Sequence, residues 1–142
     1  MEGIWMKCAF VLLLASLCAT SARATDQPKS KITNDEARTL VMASLTNQQR
    51  RLPSLGAESY DDPDSPRFLF FTVTWEGLPN GSVVVGNYAV DRNTGDVFSA
   101  TMSCYEEKNK RLKRLQAQVR SQLHLTRSEY LRLKTNGPLC ER

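Results

Sequence analysis

The stretch from Phe68 to Trp75, read Phe-Leu-Phe-Phe-Thr-Val-Thr-Trp, constrains this chain more than any other. It is rich in aromatic and β-branched side chains and is followed by Pro79-Asn80-Gly81, so it reads as a strand ended by a chain reversal. One face carries Leu69, Phe71, Val73 and Trp75, the other Phe68, Phe70, Thr72 and Thr74. Both faces start apolar and one turns polar, which suits a strand that packs one side on a helix.

Two more strands follow from the same logic. Val83 to Val90 is the second, Arg92-Asn93-Thr94-Gly95 is a tight turn with Gly95 able to take positive φ, and Val97 to Met102 is the third. Three strands joined by two turns make an antiparallel meander. Ahead of it, Thr33 and Glu36 have the spacing of a capping box, and Ala37, Leu40, Val41, Ser44 and Leu45 follow at helical spacing. A helix is predicted from about Asn34 to Gln49, stopped by Pro53. Between helix and sheet, residues 52–67 hold three prolines, Gly56, Asp61, Asp62 and Asp64, and read as an exposed acidic connector. The aspartates lack the ligand spacing, turn glycine and closing glutamate of a calcium loop.

After the sheet, Leu112, Leu115, Val119 and Leu123 form a narrow apolar seam on a helix predicted from Glu106 to about Leu123. Thr126 and Glu129 form a second capping box, opening a short helix that ends near Lys134 before Asn136-Gly137-Pro138. The expected class is therefore α+β: an N-terminal helix packed on a three-stranded antiparallel meander, then one long and one short C-terminal helix.

The first two dozen residues do not belong to this pattern. Lys7, the apolar run Ala9 to Leu17 and then Ala22-Arg23-Ala24 have the order of a secretory signal peptide. The apolar run is shorter than the roughly 20 residues of a spanning helix. Cleavage after Ala24 is expected to leave one domain, Thr25 to Arg142, secreted or periplasmic. Cys8 and Cys18 would leave with the leader, and Cys104 and Cys140 would remain as a pair in an oxidising compartment. The expected outcome is one intramolecular disulfide, worth roughly 4 kcal/mol at best by the chain-entropy argument. The alternatives are two free thiols or an intermolecular bridge.

Charge is unevenly spread. Residues 25–104 carry seven Lys/Arg and ten Asp/Glu, whereas residues 105–142 carry ten against four. Lys110, Arg111, Lys113, Arg114 and Arg120 concentrate on the long C-terminal helix, and Lys108 precedes them. An acidic protein partner, anionic lipid or nucleic acid could meet such a face. Export and the absence of interleaved aromatics speak against nucleic acid. The narrow seam without aromatics speaks against a membrane-surface helix. The five cations are the candidate partner-binding residues, the alternative being a helix face that is only solvated.

Chemistry is not nominated. His124 is the single histidine and lies at a helix end, with no nucleophile or orienting carboxylate placed beside it by sequence. Gly77, Gly81 and Gly86 punctuate hairpins and form no phosphate loop. No catalytic residue, cofactor or metal site is assigned, and no enzyme activity is expected.

Two segments carry a family resemblance. Ile32-Thr33-Asn34-Asp35-Glu36-Ala37 resembles the opening of the first helix of PepSY domains. Tyr88-Ala89-Val90-Asp91-Arg92-Asn93-Thr94-Gly95-Asp96-Val97 is similar to the hairpin that closes them, and also to hairpins of small exported immunity proteins of bacterial toxin systems. The resemblance covers residues 32 to about 100; the basic helical extension 105–142 and its cysteines lie outside it. It implies a PepSY-like module that inhibits or chaperones a peptidase, or an immunity protein. Ser82-Val83-Val84-Val85-Gly86 is similar to the cystatin inhibitory loop, but Ser82 stands where that family has glutamine, and the segment reads as strand. The functional expectation is a small exported binding module of inhibitor or immunity type that occludes an acidic envelope protein. The alternative is an envelope-associated structural domain.

Overall fold

A computed structural model describes residues 31–77, 82–101 and 105–138. The chain runs α1 (Asn34–Ser44), a 3-10 turn (Gln49–Arg51), β1 (Gly56–Tyr60), β2 (Phe68–Glu76), β3 (Ser82–Asp91), β4 (Val97–Ser99), β5 (Tyr105–Glu106), α2 (Lys110–Gln122) and α3 (Arg127–Leu133). The five strands form one sheet in sequential order, antiparallel throughout. The mixed α+β class and the β2–β3–β4 meander agree with the sequence reading. The expected leader and the Cys104–Cys140 bridge lie outside the described residues.

The sheet is larger than the expected three strands. β1 forms inside the expected acidic connector, pairing Gly56 through Tyr60 with Thr74 through Phe70. Its sequence has no apolar alternation, so its stability comes from its neighbours. Tyr60 stacks on Phe70 with ring centroids 5.5 Å apart, and Arg38 of α1 donates through Nε to the Ala57 carbonyl at 3.1 Å. At the other edge, β4 is shorter than expected, and Glu106, the expected start of the second helix, joins Tyr105 in a strand that pairs with Phe98 and Ser99. The Glu107 amide then donates to the Val97 carbonyl at 2.8 Å, extending that pairing.

The sheet has two covered faces. Leu69, Phe71, Val73, Tyr88, Val90 and Val97 meet Ala37, Leu40 and Val41 of α1, Leu45 just past its end, and Leu112 and Val119 of α2 in the main core. Fully burying a side chain such as Phe71 is worth about 1.5–3 kcal/mol. On the opposite face Phe68, Phe70, Ala89 and Phe98 form a smaller core. Gly137 lies against the Phe98 ring, where a β-carbon would come within 2.8 Å, at a φ of +102°. Arg67 ties α3 to this face by donating to the Leu133 carbonyl.

The β3–β4 turn is fixed by its own side chains. Asp91 is fully buried, accepts from Arg67 Nε at 3.0 Å and Nη2 at 2.7 Å, and takes the Asn93 amide at 2.8 Å. Gly95 sits at φ +72° against Leu40 and Val119, so the turn is the point where both long helices meet the sheet.

Both capping boxes form as read. Thr33 and Glu36 cap α1 reciprocally, and Thr126 and Glu129 do the same for α3. α1 nevertheless ends at Ser44, short of the expected Gln49, because Leu45 turns extended and buries its side chain.

Candidate protein-binding site

The site begins with the residue that starts α2. Asn109 is extended, at φ −140°, and its Oδ1 accepts the Leu112 amide at 2.8 Å. Its Nδ2 donates to the Ala43 and Ser44 carbonyls, each at 2.9 Å. One side chain thus caps the start of α2 and the end of α1, placing these two ends side by side. A cap of this kind satisfies backbone groups that no intrahelical partner can reach.

From there the seam sets the orientation of α2. Leu112, Gln116 and Val119 are buried, and Gln116 donates through its side-chain Nε2 to the Gly95 carbonyl at 3.1 Å. Lys110, Arg111, Lys113 and Arg114 consequently face solvent. Among the described residues none of these four forms an ion pair or a side-chain hydrogen bond. The expected helix start at Glu106 would have put two acids in the first turn. With β5 formed, the first turn of α2 holds Lys110 and Arg111 and no acid. Cations at the positive end of a helix dipole are locally unfavourable. Among the described residues no ion pair of these cations offsets that cost.

A cleft of about 510 Å³ lies between these two helix ends. Ser44 to Asn47 and Arg50 line it from the α1 side, Lys108, Lys110, Arg111 and Arg114 from the α2 side, with Tyr105, Glu107 and Asn109. Arg50 hydrogen-bonds the Asn47 side chain, and Lys108 pairs with Glu106 at 3.3 Å. Burial pushes the Glu107 carboxyl above its ordinary range. Tyr105 is 56% exposed, a large ring held at a cationic cleft. Sequence reading singled out neither Arg50 nor Tyr105. The chain reaches the cleft with Arg50 because α1 stops early and the 3-10 turn follows.

Arg120 stands apart from the other four cations. It pairs with the buried Asp96 carboxylate, donates through Nε to the Thr94 carbonyl at 3.1 Å and lies 3.9 Å over the Tyr130 ring. The Tyr130 hydroxyl also donates to Asp96, at 3.2 Å. Burial pushes the Asp96 carboxyl up, and Arg120 and Thr94 pull it back. Arg120 therefore fastens α2 and α3 to the β3–β4 turn. Its helical phase carried this signal, since it follows Leu112 and Gln116 at intervals of four.

The remaining candidates are placed as follows. His124 is exposed, at φ +53°, one residue past the α2 cap; its amide donates to the Ser121 carbonyl and the Leu125 amide to that of Arg120. This is a helix-terminating Schellman arrangement. Asp61 pairs with Arg92 at 2.9 Å, and Asp62 accepts the Asp64 amide at 3.0 Å. Among the described residues no group of three His, Cys, Asp or Glu is gathered to hold a metal ion, and no helix is long and apolar enough to cross a membrane.

No protein-family model matches the chain, and no curated protein matches it. The fold is similar to that of a chain in the solved structure of a type VI secretion system effector–immunity complex from Pseudomonas protegens. The identity is 22%, the TM-score 0.57, and the alignment covers 76% of this chain and 88% of that one. That likeness shows a shared fold.

Proposed function

We propose that this protein is an exported immunity-type binding module that occludes a protein partner through the cationic cleft between the α1 and α2 ends. The observation that carries the reading is the set of four outward cations on α2, joined by Arg50, with no acid in the first helical turn. Desolvating such a cluster is favourable only against complementary negative charge. An acidic partner surface would supply the charge the fold leaves out, and the cations would steer its approach. Tyr105 offers the kind of rigid, amphipathic anchor found at interface centres. The shared fold with a chain of an effector–immunity complex supports the class. Secretion with loss of residues 1–24 and a Cys104–Cys140 bridge belong to the same proposal, resting on the leader pattern and the cysteine pair.

The test is capture from the cell envelope of the source organism with the tagged mature chain, at low and high salt. A saturable acidic partner is expected, lost at high salt and lost with Arg111→Glu/Arg114→Glu. Recovery of the same partner by that variant, or of none at low salt, refutes the proposal.

A further inference from the structure

The cationic cleft does not end at the helix caps. A second hollow of about 450 Å³ shares Arg111 and Arg114 with it, and a third of about 170 Å³ shares Thr39, Leu115 and Gln118 with the second. The three run in series along the contact of α1 and α2. Asn109 joins Ala43 and Ser44 at one end, and Val119 lines the third hollow with Glu36 and Leu40 at the other, so the helices are antiparallel. Together the hollows make a furrow following the 13 residues of α2, about 20 Å long.

The furrow is chemically graded. Arg50, Lys110, Arg111 and Arg114 crowd one end. Beyond Arg114 its lining on α2 turns to Leu115, Gln118, Val119 and Gln122, which carry no charge. A patch that simply repelled other cations or kept the chain soluble would need neither the furrow nor the gradient. A trough between two helices is the shape into which a third helix packs.

We infer that the occupant is a single partner helix of about 13 residues, laid lengthwise in the furrow with its carboxylates gathered at the end that meets Arg50, Lys110, Arg111 and Arg114. Small uncharged side chains would cover Thr39, Leu115 and Gln118. The acidic end would be the helix C-terminus: its negative dipole then faces the positive start of α2, and the docked helix runs parallel to α1. This rests on the binding-module reading and adds the partner's form, length and polarity.

The test uses the mature chain and fluorescein-labelled helical peptides of 14 residues, alanine- and leucine-based, each with four glutamates. One peptide gathers them at its C-terminal end, one at its N-terminal end, and one disperses them. Fluorescence anisotropy is expected to show saturable binding of the C-terminal-acid peptide, at least about tenfold tighter than the other two. Arg111→Glu/Arg114→Glu and the furrow-filling Gln118→Trp should each weaken it at least about fivefold. All three positions are solvent-exposed, and circular dichroism checks that each variant is folded. Equal affinity for the three peptides, or an N-terminal-acid peptide that binds best, overturns the inference. If Arg111→Glu/Arg114→Glu abolishes binding while Gln118→Trp leaves it unchanged, the lengthwise helix fails and the cationic cleft stands. If none of the peptides binds at low salt, both fail.

Discussion

Replacing Asn109 with alanine removes three hydrogen bonds at once: one from the Leu112 amide and two to the Ala43 and Ser44 carbonyls. Loss of an N-cap costs about 1 kcal/mol. Each lost bond to a backbone carbonyl at the end of α1 costs about 0.5–1.5 kcal/mol. The sum is about 2–4 kcal/mol, a large part of the stability of a small domain. With a urea slope of roughly 1.5 kcal/mol/M, the unfolding midpoint should fall by about 1.3–2.7 M. Asn109→Asp separates the two roles. Aspartate keeps the acceptor for Leu112 and suits the helix start, but it cannot donate and sets a negative charge against two carbonyl oxygens. It should therefore be less stable than the native protein at neutral pH. Urea titration followed by circular dichroism reads both variants. An Asn109→Ala loss below about 0.5 kcal/mol, or an Asn109→Asp variant as stable as the native chain, would refute the argument that this side chain couples the two helices.

Three other outcomes follow from the same structure. Arg120→Ala leaves Asp96, whose side chain is 1% exposed, without its cation and should cost about 3 kcal/mol, whereas Arg111→Ala and Arg114→Ala should each stay within about 0.5 kcal/mol by thermal unfolding. His124 holds a left-handed backbone at φ +53° that glycine adopts freely, so His124→Gly should raise stability by about 1 kcal/mol. Burial raises the Glu106 carboxyl, but hydrogen bonds and charge from Lys134 and Lys108 outweigh it and hold it below its ordinary value. Its contribution is present above the ordinary glutamate range and is lost as pH falls through the lowered value, so Glu106→Gln should flatten the acid limb of a stability–pH curve.

The parts of this fold that were legible in the sequence are those decided by local chemistry. Thr33 with Glu36 and Thr126 with Glu129 satisfy backbone groups within one helical turn, and the strands around Asn93-Thr94-Gly95 are marked by alternation and turn residues. What escaped reading depends on distant partners. Gly56-Ala57-Glu58-Ser59-Tyr60 has little strand character of its own and pairs because β2 offers an open edge beside Arg38. Glu106 leaves the expected helix and joins Tyr105 in a strand because β4 does the same at the other edge. The dual role of Asn109 joins positions 65 and 66 residues apart, which no window reveals. The candidate site divides the same way. Lys110, Arg111, Lys113 and Arg114 could be named from spacing against the apolar seam, while Arg120 shares their chemistry but lies in phase with the buried Gln116. Arg50 and Tyr105 reach the cleft only through the early stop of α1 and the formation of β5.

Hydrogen exchange of residues 25–142, free and bound to a partner captured in the test of the proposed function, asks most directly which surface is covered. Slowed exchange should concentrate in residues 44–50 and 108–118, with the exposed Val83 and Val84 of β3 unchanged. Protection centred on Val83 and Val84, with the α1–α2 ends exchanging as in the free protein, would contradict the assignment of the cationic cleft as the binding surface.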